Sequence, residues 1–355
     1  MISNDMDDLL TSWKEIARLT KDELLRRVVS NWQTGLFDFT EPGLGGRAGF
    51  TTQIMAASFL SMHAENHVEE NLAQDLGISA LDLQANSGGI LQPYNVAAGE
   101  DPFLDIVEFA SCAGNLAYLA KTTGDKRFVH SLTNGADYLL DQRVEALPGA
   151  IQKNPKTVSH DVINASAYAA NAWGHAFRLT DREDYFDAML HSVEHLIRRW
   201  SQSEARWWNY AESWTGEPLV GKSVAYQASI LALISEILEY LPREIVSSFT
   251  EIQNDASSAV VEALNSTHRN DFEAPSWSQD WCNVFEIDWF LSKVLTLPDA
   301  KRTAMARASI LRDEMSLGIR IWANLPANNG LLTRSMVTTD FRKIANLAGV
   351  CTRLL

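Results

Sequence analysis

The most constraining feature of this sequence is a plan that recurs along it, because a chain made of one repeated unit can only stack or close those units. The segments Cys112 to Asp125 and Ala169 to Asp181 share the plan. Each is a run rich in small residues that stops at Thr-Gly-Asp or Leu-Thr-Asp, and a second run carrying an aromatic, Phe128 or Tyr185, follows. Thr180-Asp-Arg-Glu183 reads as a capping box for that restart, the Thr hydroxyl and Glu carboxylate serving free backbone N–H groups. Extended over the chain, the plan predicts helices of one kind from near Arg47, Phe103, His160, Gly221, Asp280 and Thr338, at intervals of 56, 57, 61, 59 and 58 residues. Helices of a second kind alternate with them, over residues 6–31, 66–84, 126–143, 183–201, 245–266 and 299–322.

The two kinds differ in what they can bury. Eight of the twelve residues from Ala165 to Ala176 are Ala, Ser or Gly, which lets neighbouring helices approach closely and suits a crowded inner layer. The second kind carries charge at helical spacing, as in Arg182, Glu183, Asp187, Glu194, Arg198 and Arg199, and is expected to keep a solvated outer face. Six such hairpins predict an all-α (α/α)6 toroid with little strand, residues 1–355 forming a single domain. Long returns that begin alike, Gln84 to Ile90 and Gln142 to Ile151 among them, place the binding face at the rim where inner helices start. There the free N–H groups and positive dipole ends favour negative groups.

Thirty Lys and Arg against 45 Asp and Glu leave a net charge of −15, a field that repels nucleic acid and anionic lipid. Cys112, Cys282 and Cys351 are too few and too widely spaced for a disulfide framework or a zinc site. Met1 to Asp8 is acidic where an export signal is basic and then apolar, and no run is long enough to span a membrane, so a soluble cytoplasmic protein is expected.

The Thr-x-Asp turns, the Gln-x-x-x-Gly-Gly-Ile loop at Gln84 to Ile90 and the closing run Thr338 to Leu355 resemble those of six-hairpin toroid proteins that act on glycans. The layout is especially similar to that of bacterial polysaccharide-biosynthesis proteins, over about Asn31 to Leu355. Related toroids include uronyl hydrolases, polysaccharide lyases, uronate epimerases and terpene cyclases, so the resemblance implies an architecture and a choice of chemistries. No diagnostic catalytic signature of any one group is complete.

An offset of 56 aligns Asp105 with Asp161 and Glu108 with Asn164, all expected in first turns of inner helices. Carboxylates converging there can split their pKa values into general acid and base, and resemblance to unsaturated uronyl hydrolases, which use a similarly placed Asp pair, points to the same two residues. First-turn acids that merely offset a helix dipole are the plainer reading. His160, beside Asp161 and after the expected N-cap Ser159, is a proton-carrier candidate, and Asp280 is the rim-most acid of the Asp280 to Asp288 segment. Glu286 and Asp288, if buried, need cations, and Arg334 or Arg342 is expected to supply them. Trp207, Trp208, Tyr210 and Trp281 offer flat faces to a pyranose ring, while Arg47 and Arg334 suit a substrate carboxylate. The pairs His63/His67 and His191/His195 stand at i, i+4, yet neither is a HExxH motif and the second is expected on a solvated face. No metal or cofactor is expected.

Three functions compete on this scaffold. The first is a carbohydrate-active hydrolase, lyase or epimerase working by acid/base chemistry on an acidic, uronate-containing glycan. The second is a terpenoid cyclase, suggested by aromatic density and disfavoured by the lack of a well-placed DxDD or DDxxD. The third is a noncatalytic glycan-binding subunit, which requires an aromatic groove without a close carboxylate pair.

Overall fold

A computed structural model of the chain describes residues 2–32, 48–92, 103–202, 206–265, 283–316 and 340–355. They fall into two compact units. The first combines Met1–Leu81 and Pro93–Pro102 with Ser276–Leu355; the second combines Asp82–Gln92 with Phe103–Pro275.

In the first unit, α1 (Ile2–Trp32), α2 (Phe50–Met62) and α3 (His67–Leu81) meet the last three helices described, α11 (Glu286–Lys293), α12 (Ala300–Ser316) and α13 (Asp340–Leu354). The α2–α3 hairpin packs on α13, and α1 packs on α12 and α13, so the two ends of the chain share one core. Helix α2 is buried continuously from Phe50 to Leu60 despite its Thr, Gln and Ser residues. Gln53 meets the demand for a partner by donating its side-chain amide to Ala48 O at 2.7 Å. Buried Asp288 is clasped by Arg307 of α12 through Nε and Nη2, at 2.7 and 2.9 Å. This cation comes from the neighbouring amphipathic helix, a source that the sequence reading did not name.

The second unit contains α4 (Ile106–Ala110), α5 (Ala113–Thr123), α6 (Lys126–Asp141), β1 (His160–Val162), α7 (Ile163–Thr180), α8 (Glu183–Gln202), β2 (Ala211–Ser213), β3 (Pro218–Val220), α9 (Val224–Ser235) and α10 (Arg243–Asn265). Helix α7 is buried on all sides from Ile163 to Gly174, as its small residues demand, whereas α6 and α8 keep one wet face. The three strands form one small antiparallel sheet in the order β1-β2-β3.

Four small-residue helices begin at Phe50, Ile106, Ile163 and Val224, three residues beyond the points expected from the sequence. In the second unit the reason is visible. The residue that caps each helix is still extended: Asp105 at φ −128°, Val162 at φ −100° and Ser223 at φ −145°. Asp161 therefore lies in a strand and Val162, not Ser159, occupies the cap. The small-residue run before Thr123 is also interrupted at Ser111 and Cys112, splitting it into α4 and α5.

Boundary chemistry at the turns was half legible. Gly124 ends α5 in the left-handed region and Asp125 caps α6 by accepting from Arg127 N; Asp181 takes the same left-handed place at the end of α7, with φ 55°. The Thr180 hydroxyl, expected in a capping box, turns back instead to Ala176 O at 2.7 Å.

The returns repeat in space as they do in sequence. Gln84 pairs with Ile90 and Arg143 with Ile151 as isolated antiparallel bridges. Each return presses a left-handed glycine against the next amphipathic helix. A Cβ on Gly88 would lie 2.0 Å from Asn134 O, and one on Gly149 would lie 1.9 Å from His191 O. A serine one turn earlier or alongside fastens each loop: Ser131 donates to Gln84 Oε1 at 2.7 Å, and Ser192 donates to Gly149 O at 3.0 Å.

This contact separates two kinds of glycine. Gly149→Ala combines an unfavourable positive φ with a backbone collision and is expected to cost about 3 kcal/mol. Gly124→Ala meets nothing within 4 Å and should cost only the conformational penalty, about 1 kcal/mol. Urea-unfolding midpoints of the two variants measure the difference, and equal losses would contradict the packing described.

Candidate functional site at the rim of the second unit

The start of α4 is built around Asp105. Its Oδ1 accepts from Val107 N at 2.9 Å, which satisfies a free donor of the first turn, and its Oδ2 accepts from Lys153 Nζ at 2.6 Å and Asn154 Nδ2 at 2.7 Å. The backbone supports the same junction, Ile106 N donating to Lys153 O at 3.1 Å. Asp105 and Glu108 are buried, and the Lys153 side chain is 15% exposed. Burial pulls the Lys153 ammonium down, but Asp105, the Tyr210 phenol and Glu108 outweigh it and hold the group above its ordinary value. Tyr138, buried and in the field of Asp105, is pushed up to about 12.

Tyr210 reaches this rim from the segment leading into β2. Its N donates to Gly221 O and its carbonyl accepts from Ile163 N, both at 3.0 Å, so it is tied at once to β3's exit and to the start of α7. Its half-buried ring stacks on that of Tyr226, with centroids 4.5 Å apart and planes inclined by 24°. His160, also half-buried, is steadied by Ser159 Oγ, 3.2 Å from Nδ1.

Behind the rim lies an ion cluster that is shielded from water. In the β1–β2 ladder Asp161 stands directly opposite Glu212. Two carboxylates so placed repel each other, and Arg199 of α8 offsets this. Its Nε and Nη2 donate to Asp161 Oδ2 at 3.0 and 2.8 Å, and its Nη1 lies 3.4 Å from Glu212 Oε2. His195, one turn earlier on α8, brings Nε2 to 2.9 Å from the same Asp161 oxygen. Asn209 donates to Glu212 Oε1 at 2.8 Å. Asp161 is wholly buried.

The arrangement corrects several expectations. Asp161 and Asp105 do not project as a free pair into a shared pocket; each is engaged by a cation, and Asp161 offers no surface to a substrate. His195 and Arg199, expected on a wet helix face, are 1% and 3% exposed because the β1–β2 pair covers that side of α8. Trp208 is core packing: its ring lies against Trp200 at 4.6 Å and Phe249 at 6.4 Å, and its Nε1 donates to Leu196 O at 3.0 Å. Trp207 is likewise buried, at 5% exposure, so neither tryptophan presents a face to a sugar. Tyr210 keeps a half-buried ring stacked on that of Tyr226, a partner that sequence reasoning missed. Lys153 was also missed; its only signal was its place, with Lys156, in a return preceding a helix start. Asp280, Trp281, Arg47 and Arg334 lie outside the described residues. Among the described residues, no group of three or more His, Cys, Asp or Glu side chains is placed to hold a metal ion.

The Lys153 environment carries a pH signature. A raised folded-state value means that its stabilisation is fully present below about pH 10.4 and is lost as pH climbs through the folded value. Lys153→Met leaves buried Asp105 without its cation and is expected to cost about 3 kcal/mol at pH 7. Unfolding midpoints of wild type and variant should stay apart up to about pH 10 and converge above it; coincident midpoints at pH 7 would contradict the pairing.

No family model matches the chain, and no curated protein matches it. Solved structures do. The chain is similar to cellobiose 2-epimerase from Spirochaeta thermophila, with a TM-score of 0.63 at 14% identity, covering 97% of this chain and 98% of that one. It is similar to an inactive variant of the alpha-1,6-mannanase of Salegentibacter sp. in complex with alpha-1,6-mannotriose, with a TM-score of 0.62 at 11% identity, covering 96% and 98%. An unsaturated glucuronyl hydrolase from Streptococcus agalactiae aligns with a TM-score of 0.58 at 11% identity, covering 100% and 96%. At such identities the likeness establishes architecture: this chain has the (α/α)6 toroid fold of the six-hairpin enzymes.

Proposed function

We propose that the protein is a cytoplasmic carbohydrate-active enzyme, a hydrolase, lyase or epimerase, that works by acid/base chemistry on an acidic glycan. The observation that carries the reading is the stacked Tyr210–Tyr226 pair beside Lys153, Asp105 and Glu108 at the start of inner helices, on a fold shared with an epimerase, a mannanase and a glucuronyl hydrolase. Flat aromatic faces suit the apolar side of a pyranose ring. His160 is the proton carrier in this reading, half-buried at the described rim with Ser159 Oγ at its Nδ1. Asp280, the sequence's other candidate for proton transfer, lies outside the described residues. Arg47 and Arg334, the sequence's candidates for the acid group of a uronate, lie outside the described residues.

A second reading, a noncatalytic glycan-binding subunit, is favoured by one specific feature: Asp105 and Asp161 are both held in ion pairs. The two separate on a panel of uronate-containing and neutral oligosaccharides, with binding followed by calorimetry and products by mass spectrometry. The enzyme reading predicts turnover by wild type, a loss of about 10²–10⁴-fold in His160→Ala with binding nearly unchanged, and binding weakened about fivefold or more in Tyr210→Ala. Binding without turnover by wild type supports the subunit, and neither binding nor turnover on any glycan overturns both readings.

A further inference from the structure

The cluster behind the rim includes three buried polar atoms without a hydrogen-bond partner in Asp161 Oδ1, His195 Nδ1 and Glu212 Oε2. A cluster so incompletely satisfied is a poor source of stability, since apolar side chains of similar volume commonly replace buried ion pairs at no loss. What it does supply is a geometric condition. The β1–β2 ladder is three residues long, and a slip of one residue would put Asp161 and Glu212 on opposite faces, so that only one of them could face α8. Only the observed register places both carboxylates within reach of the Arg199 fork, whose Nη2 also lies 3.4 Å from the carbonyls of Ser213 and Trp214. Two residues of the rim, His160 and Tyr210, sit on or next to this ladder, and Asn209 is bonded to it through Glu212.

We infer that Asp161, Arg199 and Glu212 are positioning residues: the buried cluster selects the register of β1 against β2 and so sets where His160 and Tyr210 stand at the rim. Asp161 acts through the hairpin and does not itself exchange protons with substrate. The consequence for a glycan rests on the proposed function; the consequence for the hairpin does not.

Hydrogen exchange followed by mass spectrometry on the full chain tests it. Asp161→Asn removes the charge that holds the fork, and Arg199→Lys keeps the charge but loses the fork. In both, amides of residues 209–221 should exchange about tenfold faster or more, with α9 and α10 unchanged. If Asp161→Asn does not fold, Arg199→Lys carries the test, together with the apolar triple variant Asp161→Leu, Arg199→Met, Glu212→Leu. That variant should keep its melting temperature within about 3 °C while losing hairpin protection. Unchanged hairpin exchange in the single variants, equal acceleration throughout α7 to α10, or a triple variant that melts far earlier would each overturn the inference. On any glycan that wild type turns over, Arg199→Lys should raise KM more than it lowers kcat. Abolished turnover in Asp161→Asn with an unaltered hairpin would make Asp161 a proton-transfer group and overturn the positioning role. A wild type that turns over no glycan would sink the functional reading and leave the exchange test standing.

Discussion

Asp161 and Glu212 face each other across two short strands in a setting that excludes water, and such a pairing cannot persist unless a cation is inserted between the strands and the helix behind them. Arg199 meets that need with a planar fork whose two edges reach both carboxylates, which a lysine's single ammonium cannot do. Because α8 carries the arginine and α7 begins one residue after β1, the ion cluster ties a helical hairpin to the loops at its rim. The remaining rim geometry follows from it: Tyr210 O accepts the first free donor of α7, and Tyr226 receives the Tyr210 ring.

The same logic recurs at other junctions with different residues. Asp105 is fixed by Lys153 and Asn154 from the following return, and Asp288 by Arg307 from the following helix. In each case a carboxylate near a helix start meets a cation from a later segment of the chain, so these helix starts are held by charge as well as by apolar packing. The glycine contacts of Gly88 and Gly149 work alongside, holding the return loops so close to α6 and α8 that no side chain fits between. Among the described residues, His160, Tyr210 and Tyr226 stay half-buried beside these junctions.

The helices were readable because small-residue and amphipathic runs alternate at nearly constant spacing, and burial of Ile163 to Gly174 against the wet face of α8 follows from that composition. Helix starts were displaced because capping residues are extended, a distinction that periodicity does not record. The roles of His195 and Arg199 were illegible for a different reason: amphipathic reasoning assigns charge to water, and a strand pair contributed from residues 160–162 and 211–213 covers them. Trp207 and Trp208 illustrate the opposite error, since an aromatic cluster in a loop looks like a binding surface until Trp200 and Phe249 are found against it. Asp280, Trp281, Arg47 and Arg334 fall outside the described residues, so their place in the reading rests on sequence alone.

The most direct measurement of the central claim is a double-mutant cycle between Asp161 and Arg199, using Asp161→Asn, Arg199→Met and the pair together, with stability read from urea unfolding at pH 7. Each single change strands a buried partner, so the two effects should be strongly non-additive, with a coupling of about 2 kcal/mol or more. Additive losses, with a coupling below about 0.5 kcal/mol, would show that the two side chains do not act on each other and would contradict the account of how the rim is held in place.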